Sequence, residues 1–171
     1  MKRVGILLSA SVVWLLVAGT RADDPVKLPL DNDFLVKVAT CNHAVIAISK
    51  MAQTQGSPDV KVFAAQLGKN HQASYDKLAG LLKTRKVGVV SGTESETKAE
   101  IKLLGDLKGA GFDREYLKWV ISEHRSGVPL FENEVKLGKD DDIRAFAKVS
   151  LDTCRKHLQE AEVLAKTIGS K

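Results

Sequence analysis

Four long segments between Asp31 and Ile168 repeat their apolar residues every three or four positions, which is the period of an α-helix with one buried face. They run from about Asp31 to Gln55, Pro58 to Lys86, Phe112 to Gly138 and Asp140 to Ile168. The apolar stripe of the first segment is formed by Phe34, Val38, Cys41, Val45, Ile48 and Ala52. Because no segment has the strict alternation of a strand, the sequence predicts an all-α four-helix bundle.

The connections between these segments favour one arrangement of the helices. The short link at Gly56-Ser57-Pro58 joins the first two helices, with Ser57 expected as the cap of the second helix and Pro58 in its first turn. A short link also joins the last two helices, so each pair forms an antiparallel hairpin. The intervening residues, about 25 in number, contain a short amphipathic segment from Glu96 to Leu107. The prediction is a ferritin-like bundle over residues 31–168 with a long second-to-third helix crossover containing a short helix.

The first 22 residues have the layout of a secretory signal peptide. Lys2 and Arg3 precede an uncharged apolar run, and Thr20-Arg21-Ala22 places small residues where a signal peptidase cleaves. We expect cleavage after Ala22, although the run is also at the short limit for an uncleaved membrane anchor. Residues 23–30 are expected to form a disordered N-terminal segment. The protein is therefore predicted to be periplasmic or secreted, with no stable membrane span once the leader is cleaved.

The leader also carries much of the positive charge. It contains three basic residues and no acidic ones, so its removal lowers the formal net charge from +5 to +2. The remaining charges of both signs are interspersed, whereas a nucleic-acid partner usually requires a concentrated basic face. We therefore expect no nucleic-acid partner and an unknown component of the cell envelope instead.

Three histidines and two cysteines are expected to point into the bundle. His71 lies on the flank of the second apolar stripe, and His124 and His157 lie within the third and fourth stripes. Cys41 and Cys154 lie on inward stripes as well. An unpaired imidazole in the interior costs about 1–3 kcal/mol, so each ring must bind a metal ion or find a hydrogen-bond partner.

The chain resembles one family through several short motifs. These are Asp33-Phe34-Leu35, Ala64 to Leu67 with Asn70-His71, Phe112-Asp113 and Tyr116-Leu117 leading to His124, Phe146-Ala147, and His157-Leu158 with Ala161. The family is that of the secreted bacterial ferritin-like domains called domain of unknown function 4142. The resemblance implies a ferritin-like fold and an extracytoplasmic location, and it implies no activity. Val45 and Asn70 stand where family members commonly have acidic residues.

The metal ligands of a ferritin-like di-iron centre are not all present. Such a centre needs a glutamate from each of two helices and a Glu-x-x-His pair from each of the other two. Here Cys154 occupies the glutamate position before His157, Gly68 occupies that position before His71, and Val45 faces inward on the first helix. A site rich in nitrogen and sulfur fits the remaining residues better, because zinc and copper accept imidazole and thiolate ligands.

Two further interpretations remain open from the sequence. The histidines can form a buried hydrogen-bond network with one another, Asn70, Ser74 or Ser150 and bind no metal. The two cysteines can form a disulfide, which the diagonal placement of their helices in a ferritin-like bundle disfavours. The candidate ligands for one transition-metal ion, whether zinc, copper or iron, are His71, His124, His157, Cys154 and Cys41.

The functional hypothesis that follows is a small exported bundle that serves as a binding or structural module of the envelope. The principal alternative is a metal-dependent redox enzyme of the ferritin-like superfamily. The missing inward carboxylates disfavour that enzyme, because iron ions in such centres are bridged and neutralised by carboxylates. The sequence assigns no enzymatic activity.

Overall fold

The computed structural model describes residues 31–88 and 95–169. These residues form five α-helices, which are α1 Asp31–Gln55, α2 Pro58–Thr84, α3 Ser95–Gly105, α4 Gly109–Leu137 and α5 Asp141–Gly169. The described residues contain no strand, so the predicted all-α fold is confirmed. The predicted signal peptide and the segment 23–30 lie outside the described residues.

The four long helices pack as two hairpins placed side by side. Helix α1 packs against α2 and α4 against α5, while α1 also contacts α4 and α2 also contacts α5. At one end of the bundle, the backbone N–H of Ser57 donates to Asp113 Oδ1 at 3.1 Å. At the other end, the guanidinium nitrogen Nη2 of Arg85 lies 2.6 Å from Oδ1 of Asp140 and forms a salt bridge with it. Neighbouring helices are therefore antiparallel, and α1 and α5 face each other diagonally.

These contacts fix the path between the two hairpins. Helix α2 ends at the same end of the bundle as α5 begins, whereas α4 begins beside the turn between α1 and α2. The chain must therefore cross the full length of the bundle between Arg85 and Lys108, and α3 lies within this crossover. Helix α3 contacts α1 and α4 and buries Leu104 completely. A crossover with a short helix was predicted, and the ferritin-like assignment itself stays a prediction.

Two apolar clusters form the core, one in each half of the bundle. The first cluster lies in the half nearer the turn between α1 and α2, and its members include Val45, Ile48, Leu67, Phe112, Leu117 and Val120. The second cluster lies in the half nearer the turn between α4 and α5, and it comprises Phe34, Leu35, Val38, Ala39, Leu78, Leu82, Ile143 and Ala147. All these side chains are fully or almost fully buried. The layer between the clusters is polar.

Helix α1 is the most apolar long helix among the described residues. By length and mean hydropathy, which reaches 1.2, it is the one described helix that could cross a membrane. Half of that apolar window is buried within the bundle. The core helix of a folded domain has the same composition, and packing against the other helices accounts for the apolar character of α1 here.

The sequence predicted which residue caps α2 but not how that residue is bonded. Ser57 precedes α2 as expected, with Pro58 in the first turn, but its side chain makes no capping hydrogen bond. Its backbone N–H instead donates to the buried carboxylate of Asp113 on α4. The tertiary contact fixes the turn against α4 and orients the two hairpins relative to each other.

Candidate metal centre

The polar layer between the two core clusters contains one inward polar residue from each long helix. They are Asn42 on α1, His71 on α2, His124 on α4 and His157 on α5. Asn42, His124 and His157 are each no more than 4% exposed, and His71 is half-buried. Each residue lies on its helix between residues of the first and second core clusters, so the helical register itself brings all four to one level.

The three imidazole rings form a nearly equilateral triangle. The ring centroids of His71 and His124 are 5.5 Å apart, and each lies 5.4 Å from that of His157. One nitrogen of each ring lies within 4.8 Å of a nitrogen of the other two. Three neutral imidazoles at this spacing can converge on a single metal ion. We call His71, His124 and His157 the histidine triad.

The hydrogen bond of His71 to Asn42 determines which of its nitrogens carries the proton. His71 Nδ1 lies 2.8 Å from Asn42 Oδ1, which can only accept a hydrogen bond. The amide nitrogen of Asn42 donates to Ser74 Oγ at 3.4 Å, which is consistent with this orientation of the amide. In the neutral ring Nδ1 therefore carries the proton, and Nε2 has a free lone pair.

His124 is held in the same tautomer by its own helix. Its Nδ1 donates to the carbonyl oxygen of Val120, one turn earlier, at 2.8 Å. Its Nε2 therefore also has a free lone pair in the neutral ring. The Nε2 atoms of His71 and His124 are 3.4 Å apart, so two lone pairs face each other and no hydrogen bond forms between neutral rings.

This separation matches the geometry of a shared metal ion. Two nitrogens that each lie about 2.0–2.1 Å from one ion at the tetrahedral angle are about 3.3–3.4 Å apart. A bound cation would also convert the unfavourable contact between the two lone pairs into two coordinate bonds. The distance between the two Nε2 atoms and the free lone pair on each are therefore both compatible with a shared metal ion.

His157 contacts the amide of Asn70. Asn70 Nδ2 lies 2.9 Å from His157 Nε2, while Asn70 Oδ1 accepts a hydrogen bond from Gln66. His157 Nδ1 is buried and has no hydrogen-bond partner among the described residues. Turning the amide over would let Nε2–H donate to Oδ1 and would give Nδ1 a free lone pair. All three rings can thus offer one nitrogen to a metal while the other donates to an oxygen.

The electrostatic environment keeps the triad neutral. Burial lowers the pKa of His71 well below its usual value, and the neighbouring rings of His124 and His157 lower it further. Burial also lowers the pKa of His124, partly offset by the hydrogen bond to Val120. The pKa of His157 falls to about 4, mainly through burial and then through His124 and Lys156. Neutral imidazole is the form that binds metals.

The two candidate cysteines do not belong to the group of ligand atoms that His71, His124 and His157 form among the described residues. Cys154 is buried, and its thiol donates to the backbone oxygen of His124 at 3.5 Å. Cys41 is half-buried on α1, directly before Asn42. Burial raises the pKa of Cys41 to about 12 and that of Cys154 to about 11, so both stay protonated. Both cysteines are free, and of the five residues predicted as ligands the structure groups the three histidines.

The sequence reasoning missed Asn42. It named Asn70 and Ser74 as partners of the histidines, and Asn70 does contact His157. Asn42 follows Val38 by four residues and precedes Val45 by three, so it lies on the inward stripe of α1. This spacing could have identified it as a fourth member of the polar layer.

Comparisons with known proteins agree with this description. The family model described as "Domain of unknown function (DUF4142)" matches residues 17–164, which confirms the resemblance seen in the sequence motifs. No curated protein matches the chain.

Several solved structures share the fold. A DUF305 protein from Streptomyces coelicolor, described as secreted, is 16% identical with a TM-score of 0.69, covering 82% of this chain and 95% of its own. CopM in the Cu(I)-bound form is 13% identical to this chain, with a TM-score of 0.69. The match covers 81% of this chain and 96% of the CopM chain. CopM in the Cu(II)-bound form is 14% identical at the same TM-score, and that match covers 81% of this chain and 97% of the CopM chain. At these identities the likeness shows the fold alone.

Proposed function

We propose that this protein, which belongs to the DUF4142 family, is an exported module that binds one transition-metal ion through His71, His124 and His157. The observation that carries this proposal is the 3.4 Å separation between the Nε2 atoms of His71 and His124. Each of these rings has its proton held on Nδ1 by a carbonyl oxygen. A metal ion is the partner that satisfies both lone pairs without protonating either ring.

The surroundings of the triad support a metal site over a hydrogen-bond network alone. Metal-binding histidines usually donate their second ring nitrogen to an oxygen, which fixes the tautomer and the ring orientation. Asn42 and the Val120 carbonyl serve this role for His71 and His124, and Asn70 can do so for His157. The alternative network would leave His157 Nδ1 without a partner within residues 31–88 and 95–169.

The donor atoms favour copper or zinc over iron. Imidazole nitrogens suit zinc, copper and iron, but a non-haem iron site normally adds carboxylates. Within residues 31–88 and 95–169, no carboxylate belongs to the group of ligand atoms that includes the triad. CopM, a protein of the same fold, is copper-bound, which supports copper as the ion to test first.

The location that we propose is the cell envelope or the medium outside it. The leader predicted at residues 1–22 would direct export, and a protein of the same fold is described as secreted. A neutral histidine triad suits that environment because it needs no reducing compartment to stay able to bind metal.

Titration calorimetry on chain purified without a histidine tag would test this proposal. We expect one equivalent of Cu(II) or Zn(II) to bind, and His124→Ala or His157→Ala to abolish that binding. His43→Ala is the matched control, because His43 packs against Tyr75 and is not part of the triad. Unchanged binding in both triad variants, or no binding by the unmodified chain, would refute the proposal.

A further inference from the structure

The hydrogen bonds of His157 leave this ring without a lone pair for a metal ion. Its Nε2 atom lies 2.9 Å from Nδ2 of Asn70, and an amide nitrogen can only donate, so Nε2 accepts this hydrogen bond. In the neutral ring the proton is therefore on Nδ1. That atom is buried and has no hydrogen-bond partner in the part of the chain that the structure describes. His157 thus differs from His71 and His124, whose Nε2 lone pairs are free.

The amide of Asn70 is held in this orientation by Gln66, one turn earlier on α2. Gln66 Nε2 donates to Asn70 Oδ1 at 2.8 Å. The three residues extend from the surface inward, because Gln66 is exposed, Asn70 is half-buried and His157 is 3% exposed. The position of the proton on the buried ring is therefore set from the surface of α2 through one side-chain amide.

A reversal of the Asn70 amide changes both nitrogens of the His157 ring. With Oδ1 in place of Nδ2, the ring must donate from Nε2, and Nδ1 then has the free lone pair. The proton on Nδ1 is replaced by one on Nε2, so the ring stays neutral and no net proton is released. The displaced Nδ2 can donate to the amide oxygen of Gln66 once that exposed side chain has turned as well. The two hydrogen bonds of the present arrangement are exchanged for two others.

We propose that Asn70 is a positioning residue whose amide reverses when the histidine triad binds a metal ion, so that His157 coordinates the ion through Nδ1. This inference rests on the proposed function of the triad. His71 and His124 coordinate through Nε2, because carbonyl oxygens hold their protons on Nδ1. In the orientation that the structure shows, the Asn70 amide leaves the triad one ligand short, and binding requires that the amide turn.

The side chain at position 70 decides which nitrogen of His157 is available. An asparagine amide has a donor and an acceptor on the same carbon, so it can satisfy either tautomer of the ring. A carboxylate can only accept, which would hold the proton on Nε2 and leave Nδ1 free before the metal ion arrives. An apolar side chain would satisfy neither tautomer. Substitutions at Asn70 should therefore change the metal affinity in opposite directions.

Nitrogen-15 NMR of the histidine rings tests the proposal directly, with Zn(II) as the probe because its filled d shell makes it diamagnetic. The chemical shift of each ring nitrogen shows whether it carries a proton, a lone pair or a metal ion. Before Zn(II) is added, we expect His157 to carry its proton on Nδ1. With one equivalent of Zn(II), we expect the metal ion on Nδ1 and the proton on Nε2. A proton on Nε2 before the addition, or Zn(II) on Nε2 after it, would overturn the proposal.

Competition titration with Zn(II) tests the role of Asn70 in a second way. Asn70→Asp should bind about tenfold tighter than wild type, because no reversal has to precede binding. Asn70→Leu should bind about ten- to a hundredfold more weakly, since Nε2–H loses its acceptor. Gln72→Glu is the matched control for the added charge, because Gln72 lies two residues away on the exposed face of α2 and bonds Asp76. Its affinity should stay within about twofold of wild type, since solvent screens an exposed charge.

The outcomes separate the role of Asn70 from the metal site itself. Equal losses of affinity in Asn70→Asp and Asn70→Leu would show that Asn70 serves packing alone, which would overturn the proposal and leave the site intact. A gain in Gln72→Glu as large as that in Asn70→Asp would assign the gain to charge and would also overturn it. Unchanged Zn(II) binding in His157→Ala would refute the proposed function and this inference with it. Thermal melting of each variant shows whether it is folded.

Discussion

The Nε2 atoms of His71 and His124 face each other at 3.4 Å while the Nδ1 atom of each ring donates to an oxygen. This arrangement leaves two lone pairs opposed in the interior of the bundle, which is unfavourable unless a cation lies between them. The metal ion that we propose would occupy the space between these two nitrogens.

Metal binding should stabilise the folded chain. At a free metal concentration about a hundred times the dissociation constant, a site present only in the folded state adds about 2.7 kcal/mol. For a domain of this size the melting temperature should rise by about 5–10 °C, as measured by calorimetry with Zn(II) or Cu(II). His43→Ala should show the same rise and His157→Ala none. Equal rises in all three proteins would indicate that the metal binds elsewhere.

Asn42→Ala should weaken metal binding although Asn42 is not a ligand. The substitution removes the oxygen that accepts the proton of His71 Nδ1, so the ring loses its fixed tautomer and orientation. We expect the affinity to fall by about ten- to a hundredfold in a competition titration. Gln72→Ala is the control, because Gln72 lies on the exposed face of α2 and bonds Asp76. Unchanged affinity in Asn42→Ala would show that His71 is positioned by packing alone.

The metal-free protein should lose stability as the pH falls below 6.5. The pKa of His157 is lowered to about 4, and those of His71 and His124 are also lowered. The unfolded chain therefore takes up protons before the folded chain does, and stability present above pH 6.5 is lost as the pH falls toward 4. Urea unfolding of wild type and His157→Gln checks this, with a shallower decline expected in the variant. Parallel declines would contradict it.

Glu134 should have the opposite effect on pH dependence. Its side chain is 5% exposed, and burial followed by the charges of Asp31 and Asp140 raises its pKa to about 7. The folded chain therefore binds this proton more tightly than the unfolded chain, and stability is lost as the pH rises from about 4.5 to 7.

Glu134→Gln should remove this loss. The variant should gain about 1–3 kcal/mol relative to wild type between pH 4.5 and 7, as measured by urea unfolding. Glu132→Gln is the control, because Glu132 lies on the surface and pairs with Arg155. A difference between wild type and Glu134→Gln that does not vary with pH would show that the carboxyl group does not titrate in this range.

The helices were predictable from the sequence because their stability depends on a local repeat. The stripe from Phe34 to Ala52 predicted a helix from about Asp31 to Gln55, and α1 has these bounds. The sequence predicted that the second helix ends at about Lys86, whereas α2 ends at Thr84. A difference of two residues is expected at a helix end, because the last turn is weakly held and its exact end depends on contacts with other helices.

The candidate site was only partly predictable. The three histidines were identified because an inward imidazole is unusual on an apolar stripe. The sequence could not separate them from Cys41 and Cys154, because the depth of a side chain depends on the rotation of each helix against the others. The contact of Asn42 with His71 is likewise a pairing between helix faces, and only the packed bundle shows it.

The most direct measurement is an anomalous-scattering crystal structure of the chain loaded with one equivalent of Cu(II) or Zn(II). We expect a single strong peak between the three rings, about 2.0–2.1 Å from the Nε2 atoms of His71 and His124 and from one nitrogen of His157. A peak at Cys41 or on the surface, with the triad rings bonded only to protein or water, would contradict it.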